Sequence, residues 1–208
     1  MPAYFVENVL VKQSAKGRNK LPAIRIIGGT MRGRPIRYDG DPATRPMKDR
    51  VREAAFNLLG PTIKGKRVID LFAGTGAMAF EAISRGATSA MLVERRFPNA
   101  RLIRETAAEL KIEDRIDIFS GDTFLWVQRE MAEEVQPTVV FCCPPYDFYL
   151  ERWEQLSAMI DGILALVPSG SMLLVESDER FETTQLPDAF EWDVRVYPPA
   201  VLSLSQIS

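Results

Sequence analysis

Five short runs rich in Val, Ile, Leu and Phe recur through the chain, at 67–71, 89–93, 115–119, 138–142 and 171–176. Their length and β-branched content predict strands. Between them, at 76–86, 97–110, 122–134 and 150–166, apolar residues return every three or four positions, as on one face of a helix. Short apolar strands separated by helices imply βαβ units and a parallel sheet covered on both faces. From Glu191 to Leu204 the pattern is that of two further strands around Pro198-Pro199, a closing antiparallel hairpin. The expected fold class is α/β: a Rossmann-like, doubly wound, mostly parallel sheet ending in an antiparallel hairpin.

The first quarter reads differently. Ile24 to Tyr38 alternates enough for a short hairpin, with Gly28-Gly29 and Gly33 as turn or bulge points. Arg25, Arg32, Arg34 and Arg37 line up on it as a basic ribbon. Thr44 is the expected N-cap of a helix with Pro46 in its first turn. That helix presents Val51, Ala54, Ala55 and Leu58 on one face, and Gly60-Pro61 stops it. Residues 1–23 show weak periodicity and read as a loose extension. The expected division is 1–23 as extension, 24–60 as a basic hairpin-helix arm, and 61–208 as the main domain.

Composition narrows the chemistry. At 208 residues there is room for one full-sized domain and a small appendage. No run of about 18 apolar residues occurs, and the Met1–Val11 segment holds Glu7 and lacks a basic start, so neither a membrane span nor a secretory signal is expected. The chain has no histidine, which excludes Ser-His-Asp and Cys-His catalysis and removes the commonest metal ligand. Its two cysteines, Cys142 and Cys143, are neighbours and can hardly meet disulfide geometry; a reducing, cytoplasmic setting and no metal are expected. The net charge of −2 conceals an imbalance: residues 1–52 carry 12 Lys/Arg against 4 Asp/Glu (+8), and residues 53–208 carry 14 against 24 (−10). A basic arm on an acidic body suits a nucleic-acid partner, and equally a solvated tail.

The most informative stretch is Val68-Ile69-Asp70-Leu71-Phe72-Ala73-Gly74-Thr75-Gly76-Ala77. A strand ending in an acid and a Gly-x-Gly turn into a helix let a backbone approach a nucleotide-like ligand closely. Gly74-x-Gly76-x-x-Ala79 with Glu94 twenty residues after Gly74 also satisfies the dinucleotide fingerprint, so NAD is a competitor. Asp70 discriminates. A carboxylate facing the turn repels a pyrophosphate but attracts the ammonium and sulfonium of S-adenosylmethionine (SAM). On that reading Glu94 takes the ribose hydroxyls and Asp122, followed by Thr123, the adenine amine.

The fourth strand runs into Cys143-Pro144-Pro145-Tyr146. Two prolines force an extended exit, and Tyr146 offers a flat face to a base at the sheet edge where substrate should meet cofactor. Here the sequence resembles SAM-dependent amino-methyltransferases of nucleic acid, whose corresponding loop is (Asp/Asn)-Pro-Pro-(Tyr/Phe). Arg25-Ile26-Ile27-Gly28-Gly29, Arg32-Gly33-Arg34, Thr44-Arg45-Pro46 and Asp49-Arg50-Val51-Arg52-Glu53-Ala54 are similar to the RsmD-type methyltransferases over roughly residues 24–205. The resemblance implies methylation of a guanine N2 amine in small-subunit ribosomal RNA. SAM would be held by Asp70, Phe72, Ala73, Gly74, Gly76, Glu94, Asp122 and Thr123. The catalytic loop would be Cys143, Pro144, Pro145 and Tyr146, and the basic ribbon with the Arg45–Arg52 helix would grip phosphates, Arg25, Arg32, Arg34, Arg45 and Arg50 among them. It also implies a monomeric protein whose partner is ribosomal RNA or a small-subunit assembly. Three positions depart from the family: Cys143 replaces the Asp/Asn, Met47 stands where a small hydroxyl residue is usual, and Arg104-Glu105-Thr106 lacks an expected Asn. A thiol is a weak acceptor, so a SAM- or RNA-binding homologue with weak or lost catalysis is the second reading. Covalent catalysis is disfavoured, because the cytosine-C5 enzymes place their cysteine after the proline and not before it.

Overall fold

A computed structural model describes residues 24–208; the extension expected at 1–23 lies outside the described residues. Seven strands form one sheet: β3 (Arg67–Asp70), β4 (Ser89–Glu94), β5 (Ile116–Ser120), β6 (Thr138–Cys142), β7 (Met172–Asp178), β8 (Asp193–Tyr197) and β9 (Ala200–Gln206). Their order is β5-β4-β3-β6-β7-β9-β8, with β3 to β7 parallel and the last two antiparallel. The order reverses between β3 and β6, the switch point at which such sheets bind ligands.

Successive residues of the inner strands feed two different cores. Val68, Val139, Phe141, Leu92 and Leu174 pack on one face, the upper core, against α1 (Asp49–Leu59), α2 (Ala77–Ser84) and α3 (Phe97–Leu110). Ile69, Val140, Cys142, Val93 and Leu173 pack on the other, the lower core, against α4 (Thr123–Arg129) and α6 (Trp153–Leu166). This is why the strands read as unbroken apolar runs: both faces are covered. Phe141 is fully buried and meets Phe56 of α1 edge-on, ring centroids 5.8 Å apart.

The arm contributes β1 (Ile24–Arg25) and β2 (Pro35–Ile36), a two-stranded antiparallel pair, followed by α1. Ile24, Ile26 and Ile36 join the upper core. Gly28-Gly29 is less a hairpin turn than a crossing point over the end of α2. Gly29 has φ +74°, and a Cβ there would stand 2.0 Å from the Ser84 carbonyl oxygen. The Thr30 and Met31 N–H groups donate to Ser84, whose hydroxyl donates to the Gly28 carbonyl. Arg52 completes the junction. Fully buried, it donates to the Arg25 carbonyl (2.7 Å) and to Asp49 (3.0 Å), with Glu81 of α2 3.8 Å from its Nε. Glu81 in turn accepts from the Ile27 N–H and from Arg85.

Three expected elements differ. Thr44 does not cap α1; Lys48 occupies that position without a side-chain bond, and Thr44 is buried against Asn99. The helix expected over 122–134 ends at Arg129. There Met131 turns back into the lower core, and the Glu134 N–H reaches the Leu166 carbonyl (2.9 Å). The helix expected over 150–166 is divided at Arg152 into α5 (Phe148–Glu151) and α6. Among the described residues no helix is long and apolar enough to cross a membrane.

Candidate functional site

A cleft of about 600 Å³ opens at the carboxyl ends of β3, β4, β6 and β7. Its further walls come from Thr44–Met47 of the arm and from Pro199-Ala200 of the closing hairpin. This is the volume and placement expected for a cofactor site.

The floor is the glycine turn. Gly74 (φ +55°) and Gly76 (φ +75°) both adopt left-handed backbone, and Gly76 stands at the N-terminus of α2. A Cβ on Gly76 would approach the Phe80 ring to 2.8 Å, so packing as well as φ requires glycine here. The Gly74 N–H donates to Glu94 Oε2 (2.7 Å), and the Arg96 N–H to Glu94 Oε1 (2.7 Å). Asn99 bridges Thr44 Oγ1 (2.8 Å) and Glu94 Oε1 (3.4 Å), tying the arm to the tip of β4. Asp122 accepts from the Leu125 N–H (3.1 Å) and so caps α4, while the buried Thr123 hydroxyl donates to the Leu71 carbonyl. Beside them Phe72, Phe124 and Phe148 form an aromatic wall with the Arg152 guanidinium 4.3 Å from the Phe124 ring centre.

Asp70 lies behind the turn and does not line the cleft. It is 1% exposed, and its Oδ2 has no partner among the described residues. Burial raises its pKa to about 7, a backbone donor at Ala79 opposes the shift, and nearby Glu94 adds to it. Glu94 and Glu176 are also raised, again chiefly by burial. Of these three buried carboxyls only Glu94 has a cation acting on it, the partly exposed Arg96, an environment that favours a positively charged ligand over a phosphate.

At the end of β6 the cysteines part company. Cys142 points into the lower core, and half-buried Cys143 lines the cleft. Burial and the neighbouring Glu176 and Asp70 charges push the Cys143 thiol well above its ordinary value, so it is neutral and a poor acceptor. The Tyr146 hydroxyl donates to Glu176 Oε1 (2.7 Å), and the Tyr149 hydroxyl to the Glu176 carbonyl (2.8 Å).

The cleft brings together Phe72, Gly74, Glu94, Asp122, Thr123, Cys143, Pro144, Pro145, Tyr146 and Arg45. Ala73 and Gly76 shape the turn from below, as Asp70 does, without lining the cleft. The basic ribbon is partly occupied within the molecule. Arg25 faces Asp49 (3.6 Å), Arg34 donates to the Glu109 carbonyl (2.8 Å), and Arg50 donates to the Pro198 carbonyl. Arg32 is exposed. Arg52, expected among the phosphate-gripping residues of the helix, is a buried structural residue instead. Asn99, Arg152 and Glu176 were not singled out by sequence reasoning, and Thr44 only as a helix cap and within the family resemblance, yet all four line the cleft. Glu176 was in principle visible as an acid closing the fifth apolar run. Among the described residues no group of three or more Cys, Asp or Glu side chains is arranged to hold a metal.

The family model described as "Conserved hypothetical protein 95" matches residues 24–197. The protein YlbH of Bacillus subtilis (strain 168), named provisionally as an rRNA methyltransferase, is 29% identical over 159 residues, covering 76% of this chain and 85% of its own. Ribosomal RNA small subunit methyltransferase D of Escherichia coli (strain K12) is 39% identical over 125 residues, 59% of this chain; the match spans 60% of that relative's length. Among solved structures, yhhF from Escherichia coli, itself assigned provisionally as a methyltransferase, superimposes with a TM-score of 0.76 at 27% identity. The superposition covers 89% of this chain and 98% of that one.

Proposed function

Since the chain belongs to the family described as conserved hypothetical protein 95, the RsmD-type methyltransferases, we propose that it is a SAM-dependent methyltransferase of small-subunit ribosomal RNA, acting on a guanine N2 amine. The observation that carries this reading is the set of buried carboxyls with raised pKa at the tips of β3, β4 and β7, of which only Glu94 has a cation, the partly exposed Arg96, acting on it. That donor set fits SAM and opposes a dinucleotide.

When bound, SAM supplies an electrophilic methyl group on a cationic sulfur. The chain's own residues do the rest. Asp70 and Glu94 set a negative potential at the turn, Glu94 also accepts from ribose hydroxyls, and Asp122 accepts from the adenine amine beside the Phe124 wall. The Pro144 carbonyl, held clear of a helix by the two prolines, accepts from the target amine and keeps its lone pair directed at the cofactor. Tyr146 stacks on the base, which must leave its own stack to enter. Arg32 and Arg45 meet phosphates and position the RNA without reading it. No imidazole is needed, because a methylated ammonium sheds its proton readily to water.

Labelled methyl transfer from SAM to unmodified small-subunit RNA, with nucleoside analysis of the product, tests this. N2-methylguanosine is expected. SAM binding without transfer favours the second reading, a binding homologue disabled at Cys143. NADH bound more tightly than SAM overturns the cofactor assignment.

A further inference from the structure

Five carboxyl groups line the cleft, and four are already engaged. Glu94 accepts from backbone N–H groups at the turn, and Asp122 caps a helix. Asp147 and Asp178 both pair with Arg180 (2.9 and 2.8 Å). Glu176 differs. It sits one position beyond the Cys142–Val175 pair of the parallel β6–β7 ladder, directly across from Cys143. It is 7% exposed, lines the cleft, and has a single side-chain hydrogen bond among the described residues, from the neutral Tyr146 phenol to Oε1. Among the described residues Oε2 has no donor.

Resting on the function proposed above, we infer that Glu176 is the carboxylate acceptor for the target amine, taking over from β7 the role that position 143 cannot fill with a thiol. Tyr146 and Glu176 then act as one unit. The phenol fixes Oε1, so Oε2 is presented to the amine beside the Pro144 carbonyl, and the ring that holds the carboxylate also stacks on the base. One N–H of the amine goes to Pro144 and the other to Glu176, which leaves the nitrogen lone pair free for the methyl group. The pair Cys143/Glu176 thus places an acceptor one strand away from its usual position. A carboxylate acceptor makes a stronger bond than a neutral one, and more so as the amine gains positive charge in the transition state.

The test is single-turnover methyl transfer to unmodified small-subunit RNA by the full chain, E176Q, C143D and C143D/E176Q, with SAM affinity by calorimetry and melting temperature for each. Gln keeps an acceptor for Tyr146, so the fold should tolerate it. E176Q, assayed at SAM concentrations that saturate each variant, is expected to slow transfer at least about tenfold in the native background. In the C143D background the same change should cost less than about threefold, because an aspartate then accepts the amine. Native-background loss under about threefold, equal losses in both backgrounds, or activity in C143D alone overturns the inference and leaves the proposed function standing. No transfer by the native chain or by C143D, with SAM bound, overturns both.

Discussion

Buried charge is handled in opposite ways at two places in this molecule. Where the arm meets α2, Arg52 and Glu81 are both fully buried, and each finds opposite charge and backbone partners. At the cleft, Asp70, Glu94 and Glu176 are buried without a buried cation, and their pKa values are raised. The first arrangement is balanced in charge within the chain, although Arg52 Nε has no hydrogen-bond partner among the described residues, and it docks one segment on another. The second is incomplete and gains from a cation brought in from outside. Buried charge therefore marks a joint when it is balanced and a binding site when it is not.

The most damaging way to break the first region is Arg52→Met. Removing one partner strands Glu81 in the interior, and such losses run to about 3–5 kcal/mol. Urea unfolding should show this, and a variant within about 1 kcal/mol of the native chain would deny that the junction is a joint. In the second region the sign reverses. The folded-state pKa of Asp70, about 7, lies above its ordinary 3.8, so between those values the folded protein holds a proton that the unfolded chain has lost. Stability of the ligand-free protein therefore falls as pH rises through that window. Asp70→Asn should recover as much as about 4 kcal/mol at pH 8 and little at pH 4, read from melting curves. The same variant should weaken SAM about tenfold; unchanged affinity would remove Asp70 from the site. Asp122→Ala should cost about 1 kcal/mol of stability through its lost cap, with weaker SAM binding besides. Smallest of all, Arg32→Ala should leave stability within about 0.5 kcal/mol and lower the salt dependence of RNA binding by about one phosphate contact.

The same contrast explains what the sequence made legible. The sheet strands were readable because inner positions are apolar on both faces, and the glycine turn because its spacing is short and local. Arg52 was misread as a phosphate ligand because a helical arginine looks alike on either face, and its partners stand at 25, 49 and 81. Thr44 looked like a helix cap because Pro46 follows it closely, whereas its hydroxyl is taken by Asn99, 55 residues away. Glu176 was passed over for a related reason. Its significance comes from lying across from Cys143, and a pairing between β6 and β7 leaves no local mark. The isoleucines of the arm share the upper core with the sheet, and those long-range contacts leave no local mark either.

The position of β9 bears on how the protein is made. This strand follows every other described element in sequence, yet it lies inside the sheet between β7 and β8, and Ala200 at its start forms part of the cleft wall. A growing polypeptide that stops short of Ala200 leaves the edge of β7 unpaired and the cofactor groove open on one side. Ligand grip and protection of that sticky edge thus arrive together, only once Ala200–Gln206 has been made, and a chain halted before then is an aggregation hazard and not a weak enzyme.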